Sequence, residues 1–287
     1  MSMNQSNNQI IKKNLLIICR GAGDLATGII HRLHRAGHRV IALETDYPAA
    51  IRRQVSFCEA VYDGSAVVEG VTARLVPALA DAETDTETYS GENDTQAAHI
   101  ASEKWDSSAI EAVLEAGEVP LLIDQKGESI ALLKPDVVVD AIIAKRNLGT
   151  SINDGPIVIG AGPGFEAGRD CHCVIETKRG HDLGRCLWQG SAVPNTGVPG
   201  IIGGYGKERL IKAPCEGIFQ GAKEIGDRVE AGDTVGYVIR ENGEKAPVTV
   251  AISGVLRGLL QDGVRVTKGM KSGDVDPRDV EKNCYTV

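Results

Sequence analysis

LLIICRGAGDLATGIIHRLHRAGHRVIALE, residues 15–44, decides the fold. The apolar run 15–19 predicts a buried strand, and the Gly-rich turn 21–28 follows it directly. Apolar residues at helical spacing then predict a helix that ends before Gly37, and residues 39–43 predict a second strand. Strand, turn, helix and strand within about 30 residues are typical of a βαβ unit in a parallel sheet.

The Gly-rich turn fits the fingerprint G-x-G-x-x-G/A of dinucleotide-binding folds. A carboxylate lies at the end of the second predicted strand, where such folds bind a ribose. Against this, Asp24 places a negative charge where a phosphate would bind, so the turn could also serve only as a scaffold. The candidate cofactor-binding residues are Gly21, Ala22, Gly23, Asp24, Glu44 and Arg52.

Further basic residues could bind an anion. Arg52 and Arg53 follow the second strand, and Lys145, Arg146 and Asn147 follow an apolar strand at 136–139. The carboxyl ends of strands are where α/β proteins bind ligands. The alternative in both places is a solvated surface without a ligand.

A dense polar cluster, CHCVIETKRGH, spans residues 171–181. On a strand, His172 and Glu176 would share one face, and His181 would return from the next turn. Three interpretations stay open: a His₂Glu metal site, an acid–base or ligand site, and structural hydrogen bonding. The candidate catalytic residues are Lys145, Arg146, Asn147, His172, Glu176, Arg179 and His181.

The chain divides by composition into three predicted parts. Residues 10–150 are expected to form a Rossmann-like domain with an acidic insertion at 79–106. A Gly/Pro-rich β region follows at 151–207, and a duplicated segment occupies 208–280. Within residues 81–106 of the insertion, eight carboxylates face one lysine, so this stretch holds most of the net charge of −8.

The duplication pairs residues 37 positions apart, such as Gly226 with Gly263 and Arg228 with Arg265. The segment GDRVEAGDTVG resembles the repeat of biotinyl and lipoyl carrier domains. Because Asn242-Gly243 stands where a carrier has its modified lysine, we expect an unmodified barrel-sandwich hybrid used for packing or docking. The same dipeptide predicts a two-residue hairpin turn of type I′. The expected fold class is therefore α/β, with a Rossmann-like parallel sheet followed by a β-rich region that contains this hybrid.

The composition of the chain limits the classes of partner and the compartment that we expect. Aromatic residues make up only 4% of the chain and the net charge is negative, so no nucleic acid is expected. No apolar run approaches the length of a membrane span, so no membrane is expected either. Seven irregularly spaced cysteines and the lack of a secretory signal indicate free thiols in a reducing cytoplasm.

Several long stretches resemble the selenium-dependent molybdenum hydroxylase system protein family, the YqeB type. The stretches that carry the resemblance include RGAGDLATGIIHRLHRAG (20–37), DAIIAKRNLGT (140–150), GAGPGFEAGRDCHCVIETKRGH (160–181) and PNTGVPG (194–200). The resemblance implies an accessory protein for maturation of a selenium-dependent molybdenum hydroxylase. The resemblance also implies that this hydroxylase or its maturation factors are the partners. A homo-oligomer is a further expectation.

A nucleotide-bearing ligand, such as the dinucleotide form of the molybdenum cofactor, would then bind at the Gly-rich turn. The lysine, arginine and histidine candidates would face its reactive group. Two alternatives stay open. The same fingerprint with Glu44 would suit an NAD(P)-dependent oxidoreductase, and the duplicated segment would suit a non-enzymatic docking scaffold.

Overall fold

A computed structural model describes residues 14–79 and 104–287. In these residues, nine strands form the larger sheet, in the order β3-β4-β5-β2-β1-β6-β7-β8-β9. The strands are β1 (Leu16–Arg20), β2 (Arg39–Glu44), β3 (Ser65–Val68), β4 (Val71–Leu75), β5 (Val119–Ile123), β6 (Val137–Asp140), β7 (Ile157–Ala161), β8 (Cys173–Ile175) and β9 (Cys186–Leu187).

The centre of this sheet is parallel, and the winding changes direction at β1. From β1 the chain passes to β2 on one side, and it later returns to place β6 on the other side. Because β1 has parallel neighbours on both sides, the chain segments that leave β1 and β6 diverge at the carboxyl edge. A crevice at such a switch point is where open α/β sheets bind ligands.

Helices cover both faces of the sheet. Helix α1 (Asp24–Arg35) buries Ala26 and Ile30 in a cluster with Ile17, whereas Ile18 belongs to a cluster on the opposite face. This alternation follows from the two-residue period of a strand. The other helices are α2 (Ala60–Asp63), α3 (Ser107–Glu115) and α4 (Ser129–Leu133).

The sequence prediction is right about the βαβ start and wrong about the sheet as a whole. The sheet is mixed, because antiparallel strands lie at both edges: β3 pairs with β4, and β9 pairs with β8. At the first edge, Glu69 and Gly70 both adopt positive φ, which closes a tight hairpin. Strands β7 to β9 continue the same sheet, so the predicted boundary at residue 150 falls inside it.

The C-terminal region consists of two four-stranded antiparallel sheets, with orders β10-β17-β15-β12 and β14-β13-β11-β16. Their side chains enclose a separate apolar cluster that includes Phe219, Leu256 and Val275. The strands are β10 (Leu210–Lys212), β11 (Gly217–Gly221), β12 (Arg228–Val229), β13 (Thr234–Ile239), β14 (Lys245–Thr249), β15 (Gly254–Leu259), β16 (Arg265–Val266) and β17 (Lys271–Asp276).

The expected biotinyl/lipoyl-like barrel-sandwich hybrid is therefore corrected to two antiparallel sheets. Strands do recur at the predicted offset of 37 residues: β12 corresponds to β16, and β13 to β17. The strands that complete the sheets, β10 in one and β14 in the other, recur at the same offset, so strands that correspond to each other lie in different sheets. A hairpin does join β13 to β14, but only Gly243 of the dipeptide has a positive φ, so the turn is not type I′.

Helix α3 is capped by Asp106, whose carboxylate accepts the Ser108 N–H at 2.8 Å. Most of the predicted acidic insertion, residues 80–103, lies outside the described residues. No helix in the described ranges is long and apolar enough to cross a membrane.

The two apolar bodies meet along residues 51–53. The carbonyl of Ile51 accepts the Leu259 N–H at 2.8 Å, so the chain after β2 lies against β15. The guanidinium of Arg53 donates to the carbonyl of Leu259 at 2.8 Å and also reaches the side chain of Gln261. Arg53 therefore joins the bodies and is not a solvated basic residue.

A buried carboxylate at the end of β17 makes the stability of the C-terminal body depend on pH. The Asp276 side chain is 1% exposed and accepts Arg278 Nε at 2.9 Å and Arg278 Nη2 at 2.6 Å. These hydrogen bonds lower the pKa of Asp276 to about 2. The stabilisation is present above the unfolded pKa of 3.8 and is lost as the pH falls toward 2.

We expect Asp276→Asn to reduce the free energy of unfolding at pH 7 by about 2 kcal/mol and to flatten its dependence on pH between 4 and 2. Urea unfolding at several pH values measures both effects. Asp279→Asn, at an exposed position nearby, is the control and should behave as the wild type. An unchanged pH dependence in Asp276→Asn would contradict this account.

Candidate functional site

A cleft runs along the carboxyl edge of the nine-stranded sheet. It consists of three chambers of about 570, 300 and 400 Å³. The first and second share Gly21, Glu44 and Ile142, and the second and third share Leu25 and Ile143. The cleft therefore lies over the ends of β1 and β6, where the sheet changes its direction of winding.

The segment that follows β6 forms the floor, and its backbone is strained. Ile143 has a φ of 58° and Lys145 a φ of 64°, a left-handed conformation that side chains other than glycine rarely adopt. For a β-branched residue such as Ile143 this conformation is an outlier. Strained residues of this kind cluster at binding and catalytic sites, so the floor is the strongest local sign of function.

Two glycines let the backbone approach this floor closely. A Cβ on Gly21 would lie 3.0 Å from the Ala141 carbonyl oxygen, and a Cβ on Gly164 would lie 2.5 Å from the Arg146 backbone nitrogen. Both glycines also have positive φ, 97° and 115°. They hold the floor from two sides, one before α1 and the other after β7.

A buried polar network supports the floor from below. The Thr150 hydroxyl accepts a hydrogen bond from Arg20 Nη1 and donates to Asp140 Oδ2 at 2.6 Å. Asn147 closes the loop, since its Oδ1 accepts the N–H of Thr150 at 2.8 Å and its Nδ2 donates to the Thr150 carbonyl. The side chain of the predicted candidate Asn147 therefore fixes the conformation of its own loop. Arg146 lines none of the three chambers.

The Gly-rich turn is already occupied by a carboxylate. Glu44 Oε2 accepts the Ala22 N–H at 2.8 Å, and Glu44 Oε1 accepts the Thr45 N–H at 2.9 Å. Burial raises the pKa of Glu44, and these two N–H donors oppose that shift. The amide that would meet a pyrophosphate is therefore bound to Glu44, and Glu44 is turned away from a ribose role.

The remaining candidates at the turn form an ion pair. Asp24 lines the middle chamber, and its carboxylate lies 3.6 Å from Arg52 Nη1. Arg52 also donates to the carbonyls of Asn283 and Thr286, in the C-terminal body. The structure does not bring Arg52 into the cleft, because these contacts direct it to the other body.

The third chamber is cationic. Lys145, Lys178 and Arg179 line it, and none of its lining residues is an aspartate or glutamate. With its amide oriented to satisfy both neighbours, Asn195 accepts a hydrogen bond from Lys145 Nζ at 3.2 Å. The sequence predicted Lys145 and Arg179, but it missed Lys178 and Asn195. Asn195 lies within the stretch 194–200, which carries the family resemblance but indicated no chemical role in the sequence.

Glu176 shapes this chamber without lining it. Its carboxylate accepts the Lys178 N–H at 2.7 Å and the Val193 N–H at 2.8 Å, which ties two walls of the chamber together. Burial alone would raise the pKa of Glu176, but these backbone donors lower it below its ordinary value. Glu176 is therefore a positioning residue.

The two histidine candidates are not part of the cleft. His172 precedes β8 and accepts the Val158 N–H on Nδ1 at 3.0 Å, whereas Glu176 follows β8. Four residues of strand separate them by about 13 Å, so they do not act together. His181 is exposed in the turn between β8 and β9. Within the described ranges no group of three His, Cys, Asp or Glu residues could hold a metal ion.

Fold and cleft together define a protein with a mixed nine-stranded sheet, two smaller antiparallel sheets and a ligand-sized cleft at the carboxyl edge of the larger sheet. The chain is 44% identical over 263 residues to YqeB of Escherichia coli strain K12, a protein whose name assigns no activity. The match covers 92% of this chain and 42% of that protein. The predicted resemblance to YqeB-type proteins is therefore confirmed. No protein-family model matches the chain.

Comparison with solved structures gives only distant similarity. An aspartoacylase family protein from Mesorhizobium loti is 13% identical, with 92% of this chain and 85% of that chain covered and a TM-score of 0.27. A succinylglutamate desuccinylase from Silicibacter sp. is 11% identical, with the same coverages and a TM-score of 0.26. Neither name refers to selenium, molybdenum hydroxylases, cofactor maturation or a carrier domain, so these comparisons do not support the expected association. Scores this low transfer no activity.

The close approach of Gly164 to the floor can be tested with a matched pair of variants. Gly164→Ala and Gly168→Ala both place alanine at a positive φ, but only Gly164→Ala adds a methyl group against Arg146. We expect Gly164→Ala to destabilise the protein by about 1–3 kcal/mol more than Gly168→Ala. Thermal or urea unfolding measures the difference, and equal losses would contradict a tightly held floor.

The role of Glu176 predicts a local effect on the chamber. Glu176→Gln keeps one acceptor oxygen but presents an NH₂ group to the second backbone donor. We expect faster amide hydrogen exchange in residues 177–179 and 193–196, with the exchange of β1 and β2 unchanged. Glu166→Gln, at an exposed ion pair, is the control. Unchanged exchange in both stretches would show that Glu176 does not hold the walls.

Proposed function

We propose that this protein binds a small phosphorylated molecule of the nucleotide class in the cleft, with its phosphate in the cationic chamber. The observation that supports this proposal is the lining of that chamber, which has three cations and no carboxylate. Lysine and arginine are the side chains that bind phosphate, and arginine can do so with two parallel hydrogen bonds. Thr177, Thr196 and Asn195 supply further polar groups.

The rest of the cleft favours the uncharged part of such a ligand. Asp24 and Glu44 line the middle chamber without a lysine or arginine among its lining residues. These carboxylates repel a phosphate, but Asp24 can accept hydrogen bonds from sugar hydroxyls or from an amino group of a base. The phosphate would therefore lie in the cationic chamber and the sugar or base in the middle chamber, whereas the fingerprint predicted the phosphate at the Gly-rich turn. The chamber volumes are in the range of small-molecule sites, about 300–1,000 Å³.

The wider role stays a prediction from the sequence: an accessory function in enzyme maturation, with an NAD(P)-dependent oxidoreductase and a docking scaffold as the alternatives. The chain also spans about two fifths of the length of the YqeB protein that it matches.

The proposal is tested by calorimetric titration of the full chain with ADP, pyrophosphate and adenosine. We expect ADP and pyrophosphate to bind and adenosine to bind at least 10-fold more weakly, because the cationic chamber is the main anchor. Arg179→Met should weaken ADP binding by about 10-fold or more, the value of one charged hydrogen bond.

Arg228→Met, an exposed position in the C-terminal body, is the matched control and should keep wild-type affinity. Equal affinity for ADP and adenosine would overturn the proposed anchor. Loss of binding in Arg228→Met to the same extent as in Arg179→Met would also overturn it, since that loss would reflect overall charge and not the chamber.

A further inference from the structure

A second group of cations lies in the C-terminal body, where Arg52 contacts that body. Asp274 on β17 accepts Arg209 Nη1 at 2.9 Å and Arg257 Nη2 at 2.5 Å. Arg209 precedes β10 and Arg257 lies on β15, the two strands on either side of β17. One buried carboxylate is thus shared by two guanidinium groups.

Two more cations face the same place. The hydrogen bond between Ile51 and Leu259 sets Arg52 beside Arg257. The pKa of Arg52 is lowered, first by burial and then by the charge of Arg257. Lys271 begins β17, and although the residue is exposed overall, burial of its ammonium group lowers its pKa.

The charges of this group do not balance. We define the arginine cluster as Arg52, Arg209, Arg257 and Lys271 with the carboxylates Asp24 and Asp274, a net charge of +2. The neighbouring Asp276 does not compensate for it, because Arg278 holds that carboxylate with three hydrogen bonds. A cationic excess in a poorly solvated place is unfavourable unless an anion accompanies it.

The hydrogen bonding is incomplete as well. The Nε–H groups of Arg52, Arg209 and Arg257 are buried without a partner among the described residues. Arg209 as a whole is only 5% exposed. Buried donors in folded proteins nearly always have an acceptor, so three unpartnered donors in one cluster indicate an acceptor that binds there.

We propose that the arginine cluster is a binding site for a tetrahedral oxyanion of the phosphate class. Such an anion balances the excess charge and supplies acceptor oxygens to the unpartnered Nε–H groups. This site is distinct from the cationic chamber, since it is built by β10, β15 and β17 with residue 52. Asp24 belongs to the cluster and also lines the middle chamber, which adjoins the cationic chamber, so the anion is either free phosphate or a phosphate group of a larger ligand.

The test measures the thermal unfolding of the full chain in increasing inorganic phosphate, with chloride used to hold the ionic strength constant. We expect the wild-type Tm to rise by about 4 °C at a phosphate concentration well above its Kd. Arg209→Met and Lys271→Met should lose most of this rise. Lys271→Met changes a surface position, so it keeps the test decisive if Arg209→Met folds poorly.

Two further variants identify the site and the source of the anion. Arg265→Met, at an exposed position on β16, should keep the full response. A response to free phosphate that persists in Arg179→Met identifies free phosphate as the ligand. A response only to ADP, lost in both Arg179→Met and Lys271→Met, identifies a phosphate group carried by the cleft ligand.

Three results would overturn the proposal. The first is a wild-type Tm that does not respond to phosphate or ADP. The second is a full response in Lys271→Met and Arg209→Met. The third is a response to free phosphate that Arg179→Met abolishes and Lys271→Met keeps, which would place the anion in the cationic chamber alone.

Discussion

The backbone that leaves β6 is the constraint on which the site depends. It crosses the carboxyl edge of the sheet in a strained conformation at Ile143 and Lys145. Such strain persists only where the surroundings determine the backbone completely. Here the surroundings are Gly21 and Gly164 on two sides and the buried hydrogen bonds of Arg20, Thr150 and Asp140 beneath. The three chambers take their shape from this one segment.

Local sequence patterns predicted the secondary structure that depends on residues close together in the chain. Residues 15–44 form strand, helix and strand as expected, because apolar periodicity and the glycine turn act within a few residues. The antiparallel edges were missed, since the turn at Glu69–Gly70 lacks the Asn or Asp that usually marks a tight hairpin. The expected barrel-sandwich hybrid followed from a real spacing of 37 residues, but that spacing does not specify how strands pair, and the corresponding strands lie in two separate antiparallel sheets.

The candidate site was predicted in part, for a similar reason. Lys145 and Arg179 reach the cleft because both follow strands of the parallel sheet. Glu44 matched a fingerprint by its position, but the fingerprint does not specify where a side chain points, and this carboxylate turns back to Ala22. His172 and Glu176 share a face in sequence terms, yet they lie at opposite ends of a short strand. Residue spacing alone therefore could not distinguish the side chains that line the cleft from those that hold its backbone in place.

The pairing of β1 with β6 also governs the order in which the fold can form. Ile17 pairs with Val137, so the centre of the sheet joins segments 120 positions apart, whereas the C-terminal sheets pair strands that are mostly near in the chain. Pairings between distant segments slow folding, because the loop between them must be closed first. A chain emerging from the ribosome therefore cannot complete the middle of its larger sheet until residue 140 has been synthesised, and the cleft, whose lining extends to Gly200, cannot be completed before that residue follows.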